Sequence, residues 1–146
     1  AGHSGRVSII QFIKGNRRTG EYRYISEIAN RIEIHTLGRG FVRRSDNINK
    51  DRHVAREAWD HAEKTIHSGD YRLVVLDELT YPIKYGFLAE EEILKSIARR
   101  PAHMHVVITG RNASERVVAA ADLVTQMCSR KHPFEQGVPA QAGIEF

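Results

Sequence analysis

Apolar positions follow two rhythms along this chain, one close to two residues and one close to four. Val7 to Ile13 is a nearly continuous β-branched and apolar run that stops at Lys14-Gly15-Asn16. Such a run suits a strand covered on both faces. From Gly20 to Asn30, Tyr22, Ile25, Ile28 and Ala29 recur at helical spacing and predict a short helix. Arg31 to Leu37 alternates Ile32 and Ile34 with Glu33 and His35, which reads as a second strand. Gly38 to Asn49 is a polar loop holding two glycines. Asp51 to Ser68 is the clearest helix, because Val54, Ala55, Ala58, Trp59, Ala62 and Ile66 share one face. Asp51 suits the positive end of its dipole, and Gly69 is its stop. Leu73 to Leu76 is a buried type of strand ending at Asp77-Glu78. Leu88 to Arg100 reads as a helix with Leu88, Ile93, Leu94 and Ile97 inward, closed by Pro101. His105 to Thr109 is another strand, Asn112 to Ala120 a short helix, and Leu123 to Met127 a further strand. Lys131 to Phe146, with Pro133, Gly137, Pro139 and Gly143, is loop with room for a terminal strand.

Strands separated by helices predict an α/β fold with a mostly parallel sheet flanked by helices. No repeat or linker divides the 146 residues, so they form a single domain, 1–146. A chain of that size buries roughly two-thirds of its unfolded surface and needs no staple. At 41% hydrophobic and 27% charged it has a globular composition. Its longest apolar stretches, such as Val117 to Val124, are too short to cross a bilayer, and with no basic-then-apolar segment at the start of the 146 residues export is not expected. The single cysteine, Cys128, rules out an internal disulfide and a cysteine-rich zinc module, and a reducing cytoplasm is the expected compartment. A net charge of +4 fits an anionic ligand. The basic pairs Arg17-Arg18, Arg43-Arg44, Arg99-Arg100 and Arg130-Lys131 are scattered and read first as solvated loop and helix ends. Aromatic and basic residues are not interleaved on one strand as a nucleic-acid stacking platform needs.

In parallel sheets ligands bind beyond the carboxyl ends of the strands, so the residues there carry the chemistry. Asp77 and Glu78 close an apolar strand, the Walker B arrangement, in which rigidly held acids meet a phosphate-bound Mg²⁺. The plainer alternative is a helix-start Asp with a solvent-facing Glu. Val106 to Arg111 repeats the logic with opposite charge: Thr109 and Gly110 end a strand, and Arg111 offers a planar guanidinium suited to phosphate. An Arg111 that caps a nearby helix or pairs with an acid such as Glu115 is equally open. Gly38-x-Gly40-Phe41 is too short for a dinucleotide fingerprint and reads as a turn with a core Phe, or as a lid presenting an aromatic. His103 and His105, two apart on a strand, would share a face, but no third metal ligand is nearby. His132 reads as a loop residue and Cys128 as a small buried apolar one. Neither a Gly-x-Ser-x-Gly elbow nor a His-Glu-x-x-His helix occurs.

Together these motifs resemble the P-loop type corrinoid adenosyltransferases. The resemblance runs through Gln11-Phe12-Ile13-Lys14-Gly15, Gly38-x-Gly40-Phe41, Asp77-Glu78-Leu79-Thr80-Tyr81, Thr109-Gly110-Arg111-Asn112-Ala113, Lys131-His132-Pro133-Phe134 and Gly143-Ile144-Glu145-Phe146, covering essentially the whole chain in order. It implies a P-loop NTPase (RecA-like) fold. It also implies transfer of the 5′-deoxyadenosyl group of ATP to a cobalt(I) corrinoid, with release of tripolyphosphate, in cobalamin synthesis or salvage. By the same resemblance Asp77 and Glu78 act at the Mg²⁺–ATP site as catalytic and metal-holding residues, with Thr109 and Arg111 beside the nucleotide. Phe41 packs on the corrinoid and helps strip the lower axial ligand from cobalt(II), with Arg43 beside it. A homodimer and a flavoprotein reductant are implied too, with no membrane and no nucleic acid as partner.

The chain departs from the family pattern in two ways. No Gly-x-x-x-x-Gly-Lys-Ser/Thr occurs in it. The expectation is therefore a truncated sequence lacking the first strand and the P-loop, with that strand missing from beside the Asp77-Glu78 strand. Many relatives carry Trp where this chain has Arg43, which makes the corrinoid-facing wall more polar. The alternative function is an inactive truncated relative that binds a corrinoid or a nucleotide.

Overall fold

The computed structural model describes residues 5–13, 15, 20, 24–25, 31–38, 48–141 and 143–144. Four strands, β1 (Val7–Gln11), β2 (Ile32–Thr36), β3 (Leu73–Asp77) and β4 (His105–Ile108), form one sheet in the order β2-β1-β3-β4. Every pairing is parallel. The helices are α1 (Ile48–His67), α2 (Thr80–Lys84), α3 (Glu90–Ala98) and α4 (Glu115–Ala120), with a 3₁₀ turn at Pro133–Gln136. The α/β architecture with a parallel sheet read from the sequence is the one observed.

Pairing is in register across the sheet. Ser8 stands beside Val74, and Val74 beside Val106; Ile10 stands beside Leu76, and Leu76 beside Ile108. These residues share one face, and α1 covers it. Ala55, Ala58, Trp59, Ala62 and Ile66 recur every three to four residues and pack with Ile10, Val74 and Leu76 in the core. Ile93 of α3 and Leu79, Phe87, Leu88 and Met104 close the same cluster. On the outside, Arg56 clasps both helices, donating to Asp60 on α1 (2.8 and 2.6 Å) and to both Glu92 oxygens on α3 (2.7 and 2.9 Å). The opposite face carries Val7, Ile9, Leu73 and Val75, which the described residues cover only in part, and Val107, which is exposed.

Several expectations are corrected. The helix read as Asp51 to Ser68 begins at Ile48, so Ile48 and Asn49 leave the loop. Gly69, at φ +78°, is its left-handed stop as expected. The helix read from Leu88 begins at Glu90; Leu88 is buried, but in a turn where its N–H and that of Phe87 donate to the Pro82 carbonyl. The helix read from Asn112 begins at Glu115, because Ser114 caps it by accepting from the Val117 N–H at 3.1 Å. Helix α2 is too short, with Pro82 inside it, to show a periodicity. Leu123 to Met127 forms no strand: Leu123 and Met127 are exposed, and no neighbouring strand satisfies this run's backbone among the described residues. Nor is there a terminal strand among the described residues of 131–146. Cys128 is exposed, not buried, because its segment runs outside the core. His103 sits in the turn before β4, close to the Gly69 carbonyl, so it does not share a strand with His105. Strand β3, expected to border a missing strand, is hydrogen-bonded on both sides, to β1 and β4. Most of the helix predicted from Gly20 to Asn30 lies outside the described residues; Gly20, Tyr24 and Ile25 are helical.

Two predictions follow from this packing. Trp59 is fully buried at the centre of the core. Trp59→Ala should cost about 3–5 kcal/mol of unfolding free energy, measured by urea titration. His61 packs its ring on His35 with centroids 4.4 Å apart, and burial followed by the His35 charge holds its pKa below the ordinary 6.5; Glu33 pulls the other way and Lys64 adds to the lowering. The folded chain then binds fewer protons than the unfolded chain as pH falls below about 6.5. This contribution to stability is complete above that pH and is lost as pH drops toward the folded value. His61→Phe should show a smaller fall in urea midpoint between pH 7.5 and 5.5 than the parent protein.

Candidate functional site

Because the strands are parallel and in register, their carboxyl ends finish at one level. Gln11 stands beside both Thr36 and Asp77, and Thr109 follows Ile108, the partner of Leu76. Thr36, Gln11, Asp77 and Thr109 thus form one rung across all four strands. Alternation places this rung on the face opposite α1, above two rungs built from Ile34, Ile9, Val75 and Val107 and from Ile32, Val7, Leu73 and His105.

Neighbouring side chains in the rung are joined. Thr36 Oγ1 donates to Gln11 Oε1 at 3.0 Å, and Gln11 Nε2 donates to Asp77 Oδ2 at 3.4 Å. From the other side Thr109 Oγ1 donates to Asp77 Oδ1 at 2.8 Å. Among the described residues each Asp77 oxygen has one protein donor and keeps lone pairs for a ligand. The Thr109 hydroxyl also accepts from the Glu78 N–H at 3.0 Å. Glu78 has φ +63°, a left-handed conformation that costs a residue with a Cβ about 1 kcal/mol or more. That turn takes the chain sharply out of β3, and the Tyr81 N–H donates back to the Glu78 carbonyl to begin α2.

The turn after β4 is fitted to this corner. Gly110 has φ +144°, and a Cβ there would overlap Thr80 Oγ1. Arg111 beyond it is exposed, and the pair that forms with α3 is Arg116–Glu90 at 3.7 Å, not one between Arg111 and Glu115. A recess of about 200 Å³ adjoins the turn, lined by Thr80, Ile83, Lys84, Asn112, Ser114 and Val117. Gly38 packs closely just after β2: its N–H donates to the Gln11 carbonyl, and a Cβ there would come 2.5 Å from the Phe12 carbonyl.

The structure therefore brings Asp77, Glu78 and Thr109 together at the expected edge, with Arg111 one turn away. Phe41 and Arg43 lie outside the described residues. Sequence reasoning missed Gln11 and Thr36 as members of the site. Neither stands out within its own strand: Gln11 interrupts an apolar run that continues to Ile13, and Thr36 follows an alternating strand that already holds Glu33 and His35. His132 caps the 3₁₀ turn, its Nδ1 accepting from the Phe134 N–H at 3.1 Å. No group of three His, Cys, Asp or Glu able to hold a metal occurs among the described residues, so any cation here would need ligand oxygens beyond those of Asp77 and Glu78. Among the described residues no helix is long and apolar enough to cross a membrane.

The family model described as ATP:corrinoid adenosyltransferase BtuR/CobO/CobP matches residues 1–146. The chain is 40% identical over 145 residues to a corrinoid adenosyltransferase of Pseudomonas aeruginosa, covering 99% of this chain and 71% of that protein. It is 37% identical to one from Sinorhizobium, over 99% of this chain and 68% of the relative. It is 34% identical to one from Escherichia coli K12, over 99% and 73%.

Gly110→Ala should lower stability by about 1–3 kcal/mol, since it meets both a steric overlap and a left-handed backbone. Thermal melting checks this, and Thr80→Gly in the same chain should recover part of the loss by removing the overlapping hydroxyl.

Proposed function

The chain belongs to the ATP:corrinoid adenosyltransferase family, and on that premise we propose that it transfers the 5′-deoxyadenosyl group of ATP to a cobalt(I) corrinoid, releasing tripolyphosphate. The observation that carries this reading is the Asp77–Glu78 corner, where a carboxylate anchored by Thr109 and Gln11 closes a sheet face whose lower rungs are apolar in β1, β2 and β3.

The reaction asks little covalent chemistry of the protein. The cobalt(I) substrate supplies the electron pair that forms the cobalt–carbon bond at C5′. The C5′–O bond breaks, and its electrons leave with the triphosphate. The protein must align the two substrates, balance charge on the leaving group and keep water away. The donor set fits a hard cation, because carboxylate oxygens are what Mg²⁺ selects. Asp77 and Glu78 would hold it, and when bound it neutralises charge on the triphosphate. Thr109 keeps the Asp77 carboxylate aimed and supports the Glu78 backbone. Arg111, just beyond the strand ends, is suited to bidentate contact with a phosphate oxygen. No P-loop sequence occurs in the 146 residues. Phe41 and Arg43 face the corrinoid in this reading. The protein acts as a cytoplasmic homodimer supplied with electrons by a flavoprotein.

The test is to mix the full-length protein with a chemically reduced corrinoid, ATP and Mg²⁺, then follow the absorbance of the cobalt–carbon product and assay tripolyphosphate. One tripolyphosphate should appear per adenosylcorrinoid. Asp77→Asn should lower kcat/KM on the order of a hundredfold, the scale of losing one preorganised charge-stabilising group. ATP binding without any product would instead favour a nucleotide-binding relative with no transferase activity.

A further inference from the structure

Gln11 is a buried polar residue, only 5% exposed, on a sheet face whose lower rungs are apolar in β1, β2 and β3, and the reaction above gives it no contact with either substrate. A buried amide is costly unless its hydrogen bonds are made. Among the described residues its side-chain hydrogen bonds run along the rung, one to Asp77 and one from Thr36. An amide can point either way: with Nε2 toward Asp77 it donates to the carboxylate, and reversed it would set oxygen against oxygen. The Thr36 hydroxyl donates to Oε1, an arrangement that favours the first orientation. Thr36 in turn stands beside Gln11 in the β1–β2 register.

We infer that Gln11, oriented by Thr36, is a positioning residue that holds the Asp77 carboxylate for its cation from the side opposite Thr109. Asp77 is then braced from both flanks: Thr109 fixes Oδ1 and Gln11 fixes Oδ2. With only one brace the carboxylate can rotate about χ2, so the oxygen offered to a cation is no longer set in advance. Partners of this kind, behind a metal ligand, typically change metal affinity about 10- to 100-fold. Neither residue needs to touch ATP or the corrinoid. This inference rests on the assignment of Asp77 to the Mg²⁺–ATP site.

The experiment measures ATP affinity by calorimetry in the full-length protein, once with Mg²⁺ and once with EDTA, and takes the ratio as the Mg²⁺ enhancement. Asp77→Asn tests the underlying assignment and should abolish the enhancement. Gln11→Met, similar in length but without the amide, should reduce it about tenfold while leaving ATP affinity in EDTA within about twofold of the parent. Thr36→Val should reduce it about threefold, and Thr36→Ser, which keeps the hydroxyl, should restore it. If Asp77→Asn keeps the enhancement, the metal assignment falls and the inference with it. If Asp77→Asn abolishes the enhancement but Gln11→Met does not, only the inference falls. Equal loss with and without Mg²⁺ in Gln11→Met also overturns it, since that marks a general packing role. Should Gln11→Met fail to fold, the Thr36→Val and Thr36→Ser pair decides on the same ratio: matching enhancement in the two variants overturns the inference.

Discussion

The molecule is organised by one constraint, the in-register parallel pairing of β3 between β1 and β4. Parallel pairing sends every strand end to the same edge, and zero offset puts those ends on one rung. Alternation then decides the rest. Ser8, Ile10, Val74 and Leu76 turn toward α1, while Gln11 and Asp77 turn away from it. A slip of one residue in β3 would send Asp77 into the core and lift Leu76 to the ligand edge. The apolar packing of α1 therefore does more than stabilise the sheet. By holding Val74 and Leu76 on its own side, it fixes the direction of the carboxylate.

The corner after β3 shows how local strain and tertiary contact are balanced. Glu78 adopts a left-handed backbone that a residue with a Cβ adopts reluctantly, and the Thr109 hydroxyl from the next strand holds its N–H. The absent side chain of Gly110 leaves the space that Thr80 fills. The acidic residues are thus fixed by contacts from β1, β4 and α2 rather than by their own loop. Such preorganisation suits a site whose work is to meet developing negative charge, because no reorganisation is then needed as the charge appears.

Much of this was legible in the sequence. Four strands and the helix bearing Trp59 were visible because burial on one or both sides leaves a repeat of two or near four, and Asp77, Glu78 and Thr109 were visible as polar residues ending apolar runs. What escaped was decided by tertiary pairing. Leu123 to Met127 has the composition of a strand, but a strand exists only where a neighbour accepts its hydrogen bonds. Helix starts shifted by two or three residues, because Ser114 and the turn after Pro82 set boundaries that periodicity does not register. Gln11 and Thr36 look unremarkable one strand at a time. Their meaning lies in register, which no local pattern reports.

The polar rung also bears on how the chain folds. Its hydrogen bonds join residues 25, 66 and 32 positions apart, so none can form within a local segment. Closing loops of that length costs chain entropy before any contact repays it, and sheets built from such distant pairings assemble slowly. The rung is complete only when β1 to β4 have all docked. A half-assembled sheet therefore has no finished carboxylate corner, and the cation site proposed there would be completed only at the last stage of the chain's own assembly.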